Sequence, residues 1–335
     1  MKVLHLPMEI AGQVGLICRG LRKNGVEAVG YNWRHNYLQY PHEVLHTDAY
    51  EMINTLENAA KYFDIFHYHT GYTLFKDKMD LRYVYEAGKK IVMHHRGNDV
   101  RMASLAVNGK YRFNPYVHTE DSQPEEQIIR NLKLFSRYVS DVIVQDYELY
   151  DYVEDYYERV HVLPRLFDVA EIKPPVKRAK DHRPLVVHAP TSRAFKGTEY
   201  IEKTVQQLKK EINFDFLLIE KQSLATTKTI LEEADIVIDQ VLCGMYGNVS
   251  VEGMGKGKPV ICYIRPDIAA RMPSSLPIVS ANPDTLYAEL KALLKDAARR
   301  EMLGLQGNAF VIEYHDAGKV VTQLMHIYRS ILQEK

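Results

Sequence analysis

Short apolar runs of four to six residues recur along this chain, and each is followed by a longer stretch with helical spacing. That alternation restricts the fold more than any other feature. A parallel strand is buried on both faces and must be almost wholly apolar, whereas the helix that crosses over to the next strand needs one apolar stripe. In the first half the runs Lys2–Leu6, Glu27–Tyr31, Asp64–His69, Lys90–His95 and Asp141–Val144 are predicted strands. Val14–Asn24, closing on Gly25, and Glu125–Tyr138, acidic at its start and basic near its end, are predicted helices.

The texture then changes. Residues 164–184, PRLFDVAEIKPPVKRAKDHRP, hold four prolines and a cluster of Lys and Arg, which predicts an interdomain linker. A second alternating series follows, with Leu185–His188, Asp215–Glu220, Asp235–Asp239, Pro259–Ile264 and Pro277–Ser280 as strands. The last stretch carries Val320, Val321, Leu324, Ile327, Tyr328, Ile331 and Leu332 on one helical face. The expected fold class is therefore α/β, with two Rossmann-like doubly wound halves. The expected boundaries are residues 1–165 and 185–316, a linker over 166–184, and a terminal helix over 317–335.

Length agrees, since 335 residues exceed what one core usually organises. The 43 basic residues balance 43 acidic ones, which excludes a protein that grips nucleic acid by bulk charge. Cys18, Cys243 and Cys262 are scattered and lack zinc-ligand spacing, so a reducing, cytoplasmic setting is expected. The opening MKVLHLPMEIAG has neither the charge pattern of a secretory signal nor the length to span a bilayer. Seventeen of the 23 tyrosines lie at or before Tyr157.

In open parallel sheets ligands bind beyond the carboxyl ends of the strands, so the residues after each strand are the candidates. After the first strand comes Pro7–Gly15, where Gly12 would let a ligand approach the amides opening a helix. This is not the GxGxxG of dinucleotide folds; a tight turn with no ligand is the alternative. After Leu185–His188 comes HAPTSRAFKGT, in which Ser192, Arg193, Lys196 and Gly197 could cradle a diphosphate and Thr198 is the candidate helix cap. After Asp235–Asp239 comes a glycine-rich turn with Tyr246, Gly247 and Asn248, whose amides could receive phosphate or sugar oxygens, and Glu252 one turn further.

These segments resemble the GT-B nucleotide-sugar glycosyltransferases, of the retaining family-four type found in bacterial polysaccharide synthesis. The resemblance is carried by ADIVIDQVLCGMYGNVSVEGMGKGKPVICY (234–263), HAPTSRAFKGTEYIEKTV and ERVHVLPRLFDVAEIKP. It implies two domains facing across a cleft, with the final helix crossing back onto the first. It also implies that Lys196 and Arg193 hold a donor diphosphate, that Glu252 holds the ribose, and that the Gly247 and Asn248 amides hold the sugar-phosphate. Gly12 would lie on the first-domain face of the donor cleft, and the tyrosine-rich half would take the acceptor. The implied donor is a UDP or GDP sugar and the implied acceptor a glycan or lipid-linked group, with no cofactor and no metal.

Two departures from the family pattern stand out. Gly244 occupies the place of the first family glutamate. The family's His-Gly-x-Asp reads His95-Arg96-Gly97-Asn98-Asp99 here, which puts Arg96 in the histidine's place and makes His95, Arg96 and Asp99 the candidate catalytic residues of the first half. His67 and His69 share a face of one strand and His94 and His95 lie on the next, so they could approach one another, yet no HExxH or carboxylate pattern accompanies them. A non-catalytic scaffold subunit and a sugar-nucleotide epimerase are the competing readings. Transient contact with the inner face of the membrane and homo-oligomer formation are left open.

Overall fold

A computed structural model describes residues 1–33, 43–107, 113, 122–173 and 182–333. The chain divides into two compact units, unit 1 (Met1–Met102, Ser122–Leu166 and Ala317–Lys335) and unit 2 (Ala103–Asp121 and Phe167–Asp316).

Unit 1 is built on strands β1 (Lys2–Leu6), β2 (Glu27–Asn32), β3 (Leu45–His46), β4 (Ile65–His69), β5 (Lys90–His95), β6 (Asp141–Val144) and β7 (Arg159–Val162). They pair in parallel in the order β3-β2-β1-β4-β5-β6-β7. Unit 2 carries β8 (Leu185–His188), β9 (Asp215–Leu218), β10 (Ile236–Ile238) and β11 (Val260–Ile261), parallel in the order β11-β10-β8-β9. The helices are α1 (Gln13–Lys23), α2 (Ala49–Tyr62), α3 (Met79–Glu86), α4 (Ser104–Val107), α5 (Glu125–Phe135), α6 (Tyr147–Val153) and α7 (Arg193–Lys196). They continue with α8 (Thr198–Leu208), α9 (Leu224–Glu233), α10 (Asn248–Gly255), α11 (Pro266–Ala269), α12 (Leu286–Lys295), α13 (Ala297–Tyr314) and α14 (Ala317–Gln333).

The helices form where one apolar stripe meets a sheet face. α1 buries Val14, Ile17, Cys18 and Leu21 and places Arg22 and Lys23 in its last turn, where the dipole favours cations. α14 buries Val320, Val321, Leu324, Tyr328 and Ile331 in the same core as the α1 stripe and Val3, Ile65 and Val92 of the sheet. The two helices approach closely at Gly20, where a Cβ would lie 2.6 Å from Val321 Cγ2. Among the described residues no helix is long and apolar enough to cross a membrane.

Several sequence expectations are corrected. β3 and β7 carry no apolar run and form by pairing on sheet edges. Pro277–Ser280 contributes a single bridge, Val279 to Ile261, instead of a strand. Residues 166–173 are not free linker. Leu166 accepts a bond from the Gln13 side chain in unit 1, Phe167 bridges Asp316 in unit 2, and Val169–Glu171 forms a 3-10 turn. Residues 174–181 of the expected linker lie outside the described ones.

Candidate functional site

Strand order reverses between β1 and β4 in unit 1 and between β8 and β10 in unit 2. At such a reversal the flanking loops diverge, leaving a crevice at the carboxyl ends of the strands.

In unit 2 a buried cation sits beside this reversal, held by the strand that follows it. Lys196 closes α7 and is buried, and its Nζ donates to Asp239 Oδ1 at 2.6 Å and to Gln240 Oε1 at 2.7 Å. Asp239 stands at the tip of β10 and also accepts from the Gly247 amide at 2.7 Å and from Ser250 Oγ at 2.7 Å. Burial works against its charge, but Lys196, Ser250 and the Gly247 amide outweigh it and hold the carboxyl below the usual range. Gly247 precedes α10, and a Cβ there would lie 3.0 Å from Asp239 Oδ2 and 3.1 Å from Lys196 Nζ, so the backbone passes the ion pair closely. Beneath them His188, buried and drawn down to about 4 by burial, donates from Nδ1 to the Ile238 carbonyl at 2.9 Å and accepts from the Thr198 hydroxyl at 2.9 Å.

The other expected unit 2 residues fall around this pair. Ser192 caps α7, with its hydroxyl accepting from the Phe195 amide. Thr198 is not the cap of α8: Gly197 takes that position in a left-handed conformation and Thr198 is bound to His188. Arg193 is not brought to Lys196. It is half exposed and ion-paired with Glu202 at 2.5 Å and Glu220 at 3.1 Å. Tyr246 is buried with its hydroxyl 3.1 Å from His315 Nε2, and Asn248 opens α10. The Gly247 amide, expected to be free, is taken by Asp239. Glu252 Oε1 lies 3.2 Å from Lys228 Nζ, which also holds Glu171 at 2.8 Å, while Glu252 Oε2 is buried with no partner. Burial raises the Glu252 pKa, with Lys228 opposing it.

In unit 1 the loop after β1 is closed by its own acid. Gly12 precedes α1 in a left-handed conformation, but the Val14 and Gly15 amides donate to Glu9 Oε1 at 3.0 Å and Oε2 at 2.7 Å. The expected anion cradle at this helix start is thus occupied by a carboxylate of the chain itself. After β5, His95 Nδ1 donates to Asp99 Oδ2 at 2.7 Å and His95 Nε2 accepts from the Tyr157 hydroxyl at 2.9 Å. Asp99 Oδ1 accepts from the Arg96 and Gly97 amides. Burial opposes the Asp99 charge, yet His95 and these amides keep its pKa lowered. Arg96 is buried, and its Nε and Nη2 have no hydrogen-bond partner.

Below Arg96 lie four buried histidines, His5, His67, His69 and His94, all kept neutral by burial. His5, His67 and His69 offer ligand atoms within 4.8 Å of one another. They do not fit a metal ion: the His67 and His69 rings stack at 4.5 Å and 11°, so their in-plane lone pairs run side by side and do not converge. The positive charge of Arg96 acts on all four.

Sequence reasoning missed Glu9, Tyr157, Lys228, Asp239 and Gln240. An acid ending the otherwise apolar run DIVID was a visible signal for Asp239. The partners of Lys228, Glu252 and Glu171, lie 24 and 57 residues away in sequence and left no local trace.

No protein-family model matches the chain, and no curated protein matches it. Solved structures do. Sucrose-phosphate synthase from Thermosynechococcus elongatus is 13% identical with TM-score 0.66, covering 100% of both chains. HepE of Anabaena, in complex with UDP and glucose, is 14% identical with TM-score 0.67, covering 98% of this chain and 100% of that one. A variant of S. aureus TarM, in complex with fondaparinux, alpha-GlcNAc-glycerol and UDP, is 7% identical with TM-score 0.67 over 100% of both chains. At such identities likeness speaks for architecture alone, and the architecture is the GT-B fold of the glycosyltransferases.

Proposed function

We propose that the chain is a glycosyltransferase that moves a sugar from a nucleotide-diphosphate donor, UDP or GDP type, to a hydroxyl of a glycan or lipid-linked acceptor. Unit 2 takes the donor and unit 1 the acceptor. The observation that carries this reading is the buried Lys196 at the strand reversal of unit 2. Two of its three N–H bonds go to Asp239 and Gln240, so the third is left for a ligand oxygen. Lysine needs no solvent to stay oriented here, because Asp239 is itself fixed by Gly247 and Ser250. Glu252 Oε2, buried without a partner, offers an acceptor for a ribose hydroxyl. The complexes of HepE and TarM with UDP support the donor class.

Transfer then proceeds with retention and without metal. The acceptor hydroxyl attacks on the face the nucleotide leaves, the glycosidic C–O bond to the diphosphate breaks, and the leaving phosphate takes the proton. Lys196 stabilises the charge that develops on that phosphate.

A non-catalytic GT-B subunit is the second reading, favoured by Gly244. Its φ is +89° and a Cβ there would lie 3.0 Å from Arg265 Cβ, so the backbone excludes the side chain that the resemblance leads one to expect. Calorimetry with UDP, GDP and ADP, followed by a screen of nucleotide sugars for slow donor hydrolysis, separates the two. Binding of one nucleotide with hydrolysis of its sugars is expected, and no nucleotide binding would leave the scaffold reading in its place.

A further inference from the structure

The face of the unit 1 sheet that meets α1 and α14 changes character along its strands. Side chains two apart share a face. On β1 the series runs Val3, His5; on β4 Ile65, His67, His69; and along β5 Val92, His94, then Arg96 just beyond the strand. Apolar residues give way to neutral imidazoles and then to one cation at the carboxyl ends.

Arg96 keeps 8% of its surface, almost none of it at Nε and Nη2, which are buried with no partner. The neighbouring acids do not serve it. Glu9 spends both oxygens on the Val14 and Gly15 amides, and Asp99 is taken by His95 and two amides. Arg165, whose charge Arg96 also feels, is paired with Asp146 at 2.9 Å. Burial draws Arg96 down to about 10, which leaves it charged at neutral pH. A buried guanidinium with two unmade hydrogen bonds weakens the fold, and the charges of Glu9 and Asp99 offset only part of that cost.

We propose that Arg96 receives the carboxylate of a uronic-acid sugar. This rests on the glycosyltransferase reading for the substrate class. Nε and Nη2 lie along one edge of the planar guanidinium, and that fork matches the two oxygens of a carboxylate. The carboxylate arrives on the donor sugar or on the acceptor sugar.

The test compares the protein with Arg96→Gln and Arg96→Lys by calorimetry and thermal shift. In the donor arm the probes are UDP-glucuronate against UDP-glucose and GDP-mannuronate against GDP-mannose. In the acceptor arm they are methyl glucuronide against methyl glucoside, with and without UDP or GDP. The native protein should prefer the carboxylated partner at least tenfold in one arm. Arg96→Gln should lose that preference and Arg96→Lys keep part of it. Ligand-free Arg96→Gln should melt no lower than the native protein, because an unserved buried charge is gone. Equal binding of carboxylated and neutral sugars in both arms, or a preference that survives in Arg96→Gln, overturns the proposal. Absence of UDP and GDP binding overturns the transferase reading instead, and the glycoside arm without nucleotide still decides the role of Arg96.

Discussion

Replacing Lys196 with methionine keeps the length of the side chain and removes its charge. The structure sets the cost. Lys196 Nζ and Asp239 Oδ1 are 2.6 Å apart, with side-chain exposures of 8% and 0%. Removing one partner of a buried pair typically costs about 3–5 kcal/mol. Asp239 would still accept from the Gly247 amide and Ser250, which puts the expected loss at the lower end, about 3 kcal/mol. For a unit of this size that lowers the melting midpoint by about 6–12 °C. The pH dependence has a definite sign. In the native chain the lowered Asp239 pKa contributes stability above the unfolded carboxyl value of about 4, lost as pH falls through the folded one. In Lys196→Met burial is opposed by less, the Asp239 pKa rises, and the penalty is largest at pH 7 and shrinks as acid protonates the group. Urea unfolding followed by circular dichroism at pH 7 and pH 5 should show the gap narrowing at pH 5. Sugar transfer, measured well below the midpoint, should fall at least tenfold, about 1.4 kcal/mol of barrier. A loss under about 1 kcal/mol that is the same at both pH values would refute the claim that this ion pair organises the site.

Three further substitutions probe the supports. Gly247→Ala places a methyl 3.0 Å from Asp239 Oδ2 and 3.1 Å from Lys196 Nζ; a loss of about 1–3 kcal/mol in unfolding free energy and weaker UDP or GDP binding by calorimetry are expected. Glu9→Gln leaves one acceptor for two amides at the start of α1, so a loss of about 1 kcal/mol and faster hydrogen exchange at Val14 and Gly15 should follow. Gly20→Ala drives a methyl to 2.6 Å from Val321 Cγ2; it should lower stability by about 1–3 kcal/mol, and Val321→Ala in the same chain should restore part of it.

The sequence by itself determined the central strands and the class of fold. Lys2–Leu6, Lys90–His95, Asp141–Val144 and Leu185–His188 are strands with the expected bounds, because a strand buried on both faces must be written as a largely apolar run. The stripe of α14 is legible for the same reason, since burial of one helical face imposes its period. The edge strands of unit 1 were invisible, because β3 is exposed and β7 half-buried, both held by pairing with no apolar code to read.

Only the tertiary structure decided how the charges at the strand ends are shared. The loops contain cations and carboxylates in plenty, and adjacency in sequence does not say which meet. Lys196 found Asp239 across 43 residues, whereas Arg193, three residues earlier, turned outward to Glu202 and Glu220. Glu9 closed the helix start that Gly12 was expected to open to a ligand. Arg96, in the histidine's place, ended as the guanidinium whose Nε and Nη2 bind nothing. Hydrophobic periodicity is a one-dimensional signal because the buried face of an element recurs at a fixed spacing along the chain itself. A charge pairing depends on where two chain segments meet in space, and that is settled only when the sheet orders its strands.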